Sequence, residues 1–294
     1  MILRLKQREI VFPRRPLVMG IVNLNDDSFS GDGTRDVNEA IRHARRLISE
    51  GADLIDVGGE SARTDRLEVT EQQETDRVAP FIVRFRECYE RLCPVDDTQV
   101  FPPLLSVNTW RSPVASALLN LGGDLLNDMS ALSTDENARI AARHRTALLI
   151  MHSVGLPKRE HTDVQYDDIM GTLEQFFGDK LALAEKAGVT REALVIDPGL
   201  DFAKQRNDNL TILRELGRLS RFKRPILLPV SRKTVIGEVL GLPDPKDRDP
   251  GTIAVIVAGI RASASIFRVH NVRATSLVVR MVWKILGEQD QGLL

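Results

Sequence analysis

Only two cysteines occur in 294 residues, Cys88 and Cys93, five positions apart. A redox pair or a zinc knuckle needs a different spacing or more ligands. Two reduced thiols in or near a helix end are the simpler reading, and they fit a cytoplasmic setting. Aromatic residues make up 5% of the chain, too few for a platform that stacks single-stranded bases. Lys and Arg number 40 against 41 Asp and Glu, a formal charge of -1, so nothing points to a general nucleic-acid or polybasic membrane partner. No run of apolar residues is long enough to span a bilayer. The start, Met1-Ile2-Leu3-Arg4-Leu5-Lys6, passes into Gln7-Arg8-Glu9, so no signal peptide is expected. Gly58-Gly59 and Gly122-Gly123 do not have the spacing of a dinucleotide fingerprint, and no phosphate-binding P-loop or G-x-S-x-G elbow occurs.

What is present is a repeated unit. Eight short apolar runs each close on a polar or charged residue: Leu17–Val22 on Asn23, Leu54-Ile55 on Asp56, Leu104–Val107 on Asn108, Leu125-Leu126 on Asn127-Asp128, Leu148–Met151 on His152, Ala193–Ile196 on Asp197, Pro225–Val230 on Ser231-Arg232-Lys233, and Ser265–Phe267 on Arg268-Val269-His270. Between them lie segments with helical periodicity, among them 37–50, 71–92, 112–121, 135–144, 166–187, 209–219, 252–264 and 272–286. Eight alternations without a linker predict a single α/β domain over residues 1–294, a (β/α)8 TIM barrel. Leu3 and Leu5, then Ile10, Val11 and Phe12, predict an N-terminal hairpin-like lead-in that closes the bottom of the barrel. Leu277, Val278, Met281, Val282 and Ile285 on the last helix serve either the barrel wall or a partner, and the wall is the simpler assignment.

In such a barrel the strand ends form the mouth where ligands bind. Carboxylates seldom end a buried strand for packing reasons, because a buried charge needs a partner. Asn108, Asn127, Asp197 and Lys233 together offer amide, carboxylate and ammonium groups, a mixture that matches the edge of a polar heterocycle. Asp197, followed by Pro198-Gly199, is the acceptor for an amino N–H edge. Arg268 and His270 straddle the mouth near a helix N-terminus, and an Arg fork matches phosphate oxygens. A surface salt bridge for Arg268 and a structural role for His270 are the plain alternatives. Zinc on His152 and His270 with Asp56 or Asp197 is another; magnesium on a diphosphate, touched by Asn23, fits oxygen chemistry better. Phe29, alone in the polar loop that follows Asn23, either covers something flat or tucks inward.

Taken together, these blocks resemble one family. Met19-Gly20-Ile21-Val22-Asn23 with Asp27-Ser28-Phe29-Ser30, Gly51-Ala52-Asp53-Leu54-Ile55-Asp56-Val57-Gly58-Gly59-Glu60-Ser61, Leu126-Asn127-Asp128, Met151-His152, Asp197-Pro198-Gly199 with Phe202 and Lys204, Ser231-Arg232-Lys233 and Arg268-Val269-His270 are similar to the motifs of dihydropteroate synthases. They follow in family order across nearly the whole chain. The resemblance implies a transferase of folate biosynthesis that condenses 6-hydroxymethyl-7,8-dihydropterin diphosphate with p-aminobenzoate, uses Mg2+, and works as a cytoplasmic homodimer with no nucleic-acid or membrane partner. It implies catalytic roles for Asp56, Asp197, Lys233, Arg268 and His270. Asn108, Asn127, Asp197, Phe202 and Lys233 would bind the pterin. Asn23, Arg63, Arg268 and His270 would bind diphosphate, with Asn23 on the metal. Phe29, Ser61, Ala62, Arg63 and Lys233 would serve the aminobenzoate.

The chain departs from the family pattern at several points: Asn25-Asp26 replaces Thr-Pro, Gly31-Asp32-Gly33 replaces Asp-Gly-Gly, Asn108-Thr109-Trp110 replaces Asp-Thr-Tyr, and Ala62, Thr64 and Asp65 alter the second loop. Pro229-Val230 stands where a glycine-bearing segment is usual, and Asp201 stands where a glycine normally precedes the Phe. Asn108 removes a carboxylate that would contact the pterin, and its amide can either accept or donate. These changes leave open a pterin-binding paralogue without catalysis or with another second substrate. A methyltetrahydrofolate-type methyltransferase would share the Asn and Asp pocket but need a corrinoid partner and no diphosphate site.

Overall fold

The computed structural model describes residues 1–25, 33–60, 68–155, 157–159, 161 and 163–287. Two strands, β1 (Ile2–Leu5) and β2 (Arg8–Val11), pair antiparallel as a hairpin. Leu3 and Leu5 are fully buried while their neighbours face outward, the period-two pattern of a half-covered strand. The amide of Lys6 at the turn donates to the carbonyl of Arg145 at 3.1 Å, just before a barrel strand begins, so the hairpin lies across the bottom.

The barrel strands are β3 (Leu17–Asn23), β4 (Leu54–Gly58), β5 (Leu104–Asn108), β6 (Leu125–Asp128), β7 (Ala147–Met151), β8 (Leu194–Asp197), β9 (Leu227–Leu228) and β10 (Ile266–Val269). All pair in parallel, in the order β8-β7-β6-β5-β4-β3-β10-β9. A parallel bridge between Ile196 and Ile226 joins the two ends of that series and closes the ring. The expected (β/α)8 barrel with its hairpin lead-in is the observed architecture.

Helices follow the strands: α1 (Val37–Ser49), α2 (Glu71–Val83), α3 (Ser112–Leu121), α4 (Glu136–His144), α5 (Ile169–Lys186), α6 (Arg206–Glu215), α7 (Thr234–Leu240), α8 (Asp249–Arg261) and α9 (Val272–Leu286). Several ends differ from expectation, and capping explains most of them. α5 starts at Ile169 because the Asp168 carboxylate accepts from the Gly171 amide at 2.9 Å. α6 starts three residues earlier than the apolar pattern indicates, because Gln205 and Asp208 form a reciprocal capping box. α8 begins at Asp249 with Pro250 in its first turn, where a missing N–H costs nothing. α2 stops at Val83, and the chain continues as a 3-10 turn over Phe85–Cys88.

Helices sit close on the strands where side chains are small. A Cβ on Gly20 in β3 would lie 2.9 Å from Leu47 of α1 and 3.1 Å from Val272 of α9. The bottom is stapled by a buried fork in which Arg15 donates to both Asp53 oxygens at 2.9 and 3.0 Å. Asp53 also accepts from the amides of Val18 and Val100, each at 2.8 Å, so this carboxylate is structural. On α9 the wall face is Val272, Thr275, Ser276 and Val279. Leu277, Met281 and Ile285 are 56%, 63% and 68% exposed: contrary to the simpler expectation, these three are not wall residues.

Candidate active site

Asp56 is the centre of the mouth. It ends the inward series of β4 and is 1% exposed. Ser106 Oγ donates to Oδ1 at 2.5 Å, Asn108 Nδ2 to Oδ2 at 3.1 Å, Asn127 Nδ2 to both oxygens at 3.2 Å, and Arg268 Nε to Oδ2 at 2.7 Å. Register explains the convergence: Asp56 pairs with Ser106 across β4 and β5, and Asn108 with Asn127 across β5 and β6. Four neighbours thus meet the cost of burying this carboxylate. The arrangement also fixes two amides. Asn108 and Asn127 turn their NH2 groups to Asp56, so each keeps its carbonyl oxygen as the acceptor for anything else in the mouth.

The second centre is Asp197, at the end of β8 and 3% exposed. Its Oδ1 accepts from the Gly199 amide at 2.7 Å. Burial pushes its pKa up to about 6 against the pull of that amide and of Lys233, Lys204 and Arg268. Gly199 takes φ of +68°, and a Cβ there would strike the His152 carbonyl oxygen at 1.9 Å, so only glycine allows this turn. Lys204 Nζ donates to His152 Nδ1 and to the Phe202 carbonyl, both at 2.9 Å. Burial lowers Lys204 to about 7 and His152 to about 3, so His152 is a neutral acceptor for the ammonium. Lys204, part of the Asp197-Pro198-Gly199 block, takes no role from the strand ends because it lies in a loop seven residues beyond one; the structure makes it a cation beside Asp197.

Lys233 Nζ donates to the Leu200 carbonyl at 2.8 Å and lies 4.7 Å from the centre of the Phe202 ring. Its pKa is lowered by burial, opposed by Asp201 and Asp197. Ser231 Oγ accepts from the His270 amide at 3.1 Å and lies 2.9 Å from His270 Nδ1. Ser231 thus holds His270 through both its backbone and its ring. Arg232, central in its motif, is structural: it forks onto Asp249 at 2.8 and 3.2 Å, and Asn271 donates to the same Asp249 at 2.9 Å. Asn23 ends β3, with its carbonyl accepting from Thr34 at 3.1 Å. Asp128 turns away from the mouth; its Oδ1 accepts from the Ser130 amide at 2.7 Å, and burial raises its pKa.

Asn108, Asn127 and Arg268 are therefore joined directly through Asp56. Lys233 and Phe202 stand beside Asp197, and His270 sits two residues beyond Arg268. Phe29, Ser61, Ala62 and Arg63 lie outside the described residues. The zinc alternative finds no donor set: His152 is turned to Lys204, and among the described residues no group of three His, Cys, Asp and Glu is placed to hold a metal.

Residues 19–270 match the model of a family described as pterin binding enzyme. The chain is 36% identical over 270 residues to a dihydropteroate synthase of Synechocystis sp., covering 91% of this chain and 89% of that protein. The chain belongs to the dihydropteroate synthase family. A crystal structure of the Yersinia pestis dihydropteroate synthase with a sulfonamide drug complex superposes with a TM-score of 0.86 at 33% identity, over 97% of this chain and 98% of that one. A Xanthomonas albilineans dihydropteroate synthase with 4-aminobenzoic acid superposes at 0.83 and 33% identity, over 97% of each chain.

Within this member of the dihydropteroate synthase family, the rim carries a charge network that the sequence reading passed over. Arg111, in the loop after β5, pairs with Glu60 and, at 2.6 Å, with Glu74 of α2. Lys158, from the loop after β7, reaches Glu60 at 2.9 Å with both side chains 2% exposed. Burial raises the Glu74 pKa, against the hydrogen bonds from Thr109 and Arg111. Two acids and two bases thus join three loops at the point where residues 61–67 begin. The only sequence signal was an acid at a buried position of α2.

Proposed function

We infer that this chain is a dihydropteroate synthase, joining 6-hydroxymethyl-7,8-dihydropterin diphosphate to p-aminobenzoate with release of diphosphate. The observation that carries the reading is the pair of buried carboxylates, Asp56 and Asp197, at one barrel mouth with the cations Arg268, Lys233 and Lys204 around them. Asp197 accepts from the amino and ring N–H edge of the pterin. The carbonyl oxygens of Asn108 and Asn127 add two fixed acceptors, and Lys233 over Phe202 supplies a donor and a face for the ring. Asn108 thus offers the acceptor that a carboxylate at this position would offer, which supports a competent pterin pocket in this chain.

Breaking the C–O bond leaves positive character on the pterin methylene and negative charge on diphosphate. Arg268, whose guanidinium is held through Nε by Asp56, and the imidazole of His270, held by Ser231, are proposed to take up that negative charge. An arylamine attacks with little help from a base, so positioning does most of the work. The Asn23 amide oxygen is a hard donor suited to Mg2+, which keeps several waters and phosphate oxygens and needs few protein ligands. When bound, the ion would supply charge neutralisation on the departing diphosphate. Phe29, Ser61, Ala62 and Arg63 are proposed to serve the aminobenzoate, and Arg63 also the diphosphate.

The exposed stripe of Leu277, Met281 and Ile285 on α9 supports a homodimer through that face. Among the described residues no helix is long and apolar enough to cross a membrane; a cytoplasmic site of action is proposed with the pathway. The reading is tested by incubating purified protein with both substrates and magnesium and measuring dihydropteroate. The wild type should form it and Asp197→Asn should form at least about a hundredfold less; no product from the wild type would refute the assignment.

A further inference from the structure

α7 begins without a cap of its own. Its N-cap residue is Lys233, whose side chain accepts nothing from the first turn, and lysine has no acceptor to offer. The missing acceptor comes from another loop. Asp201, in the turn after β8, accepts from the Thr234 amide through Oδ2 at 2.5 Å and from the Val235 amide through Oδ1 at 3.3 Å. Asp201 is itself fixed on its own side: its amide donates to Asn209 Oδ1 at 2.9 Å, and Asn209 Nδ2 donates back to Oδ1 at 3.2 Å. Asn209 is 2% exposed on α6. Asp201 takes φ of +65°, a left-handed conformation that suits glycine first and tolerates Asn and Asp. A carboxylate therefore occupies a position whose backbone asks for glycine, and it makes contacts glycine would not.

Two functional side chains hang on this link. Phe202 directly follows Asp201, and Lys233 directly precedes Thr234. They meet each other, with Nζ 4.7 Å from the ring centre, and Nζ also donates to the carbonyl of Leu200, the residue before Asp201. On the other side of Lys233, Arg232 is pinned by its fork on Asp249 and by its amide, which donates to Thr252 Oγ1 at 3.0 Å. Lys233 is thus clamped from both neighbours, and Asp201 supplies one jaw.

We propose that Asp201 is a positioning residue of this enzyme: its carboxylate ties the turn after β8 to the start of α7 and so holds Lys233 over Phe202 beside Asp197. The proposal rests on the synthase reading only for its kinetic consequence. It adds a charge effect to the geometric one. The groups facing the Lys233 ammonium are Asp201 and Asp197, which favour its charged form, and Arg268, which opposes it; Lys204 is a further cation in the same electrostatic neighbourhood. Asp201 stands first among the supports, so removing its charge makes the ammonium easier to deprotonate.

Two variants separate the parts without backbone strain. Asp201→Gly fits φ of +65° and removes every side-chain contact; Asp201→Asn keeps an acceptor oxygen and removes the charge. In Asp201→Gly, KM for the pterin diphosphate should rise about tenfold, more than kcat falls, because the lysine and the ring are no longer held in register. Asp201→Asn should recover part of that loss. In both, the alkaline limb of kcat/KM should move to lower pH. An NMR titration of labelled lysine side chains in the ligand-free protein, with the Lys233 signal assigned through Lys233→Arg, should show the same downward movement without any turnover. The proposal is overturned if both variants keep wild-type KM and pH profile while only the melting temperature falls, since that is a helix cap and nothing more. A wild type that forms no dihydropteroate would refute the function, and the lysine titration would still decide for or against Asp201.

Discussion

Arg268 Nε lies 2.7 Å from Asp56 Oδ2, a contact that joins two residues 212 positions apart in the chain. It fixes a guanidinium at the mouth and neutralises a carboxylate that also orders two asparagines. Asp56→Asn should disturb all four contacts, because an amide cannot accept through both of its terminal atoms. kcat/KM should fall about a hundredfold or more, and the melting temperature should drop as the Arg268 charge loses its buried partner. Steady-state kinetics together with thermal unfolding check both parts. Unchanged kinetics would remove Asp56 from the centre of the site.

Activity should have an acid limit set by Asp197. With its pKa pushed up to about 6, the carboxylate becomes protonated as pH falls below that value and loses its capacity to accept from the pterin edge. A profile of kcat/KM against pH should turn down near pH 6, and the downturn should disappear in the residual activity of Asp197→Asn. A profile flat to pH 5 would contradict the role.

His152 makes a separable prediction about stability. Its folded pKa, about 3, lies below the ordinary value of 6.5. Between those values the unfolded chain binds a proton at this site that the folded chain does not, so stability rises as pH rises from about 3 to 6.5. Urea unfolding from pH 4 to 6 should give a slope steeper than that of His152→Asn by up to one proton, about 1.4 kcal/mol per pH unit. Equal slopes would place the neutral-imidazole account in error.

The rim network should behave as one unit. Arg111→Met leaves Glu60 short of one partner and Glu74 without its ion pair, an uncompensated burial that costs about 3–5 kcal/mol. Adding Glu74→Gln should recover part of the loss, giving a coupling of roughly 1 kcal/mol or more in a double-mutant cycle. Additive losses, measured by denaturant unfolding, would show that the pairs act independently.

The strand ends were readable from sequence because each is a local event: an apolar run, then one polar residue. That is why Asn23, Asp56, Asn108, Asn127, Asp197, Lys233, Arg268 and His270 could be named together, and why the barrel followed from their number. What each residue touches was not local. The cap that Asp201 gives α7 comes from 33 residues away, so the same substitution read in sequence was only a departure from a glycine. Arg232 sits inside a functional motif yet serves Asp249, and Asp53 and Asp56 look alike in sequence while one staples the bottom of the barrel and the other centres its mouth. Helix starts at Ile169 and Arg206 depended on caps that hydrophobic periodicity does not register.

The most direct test of the account is diphosphate release from the pterin diphosphate with magnesium, measured with and without p-aminobenzoate. Release that depends on the amine and matches dihydropteroate formed mole for mole is the predicted result. Tight binding of the pterin diphosphate with no amine-dependent release would contradict it.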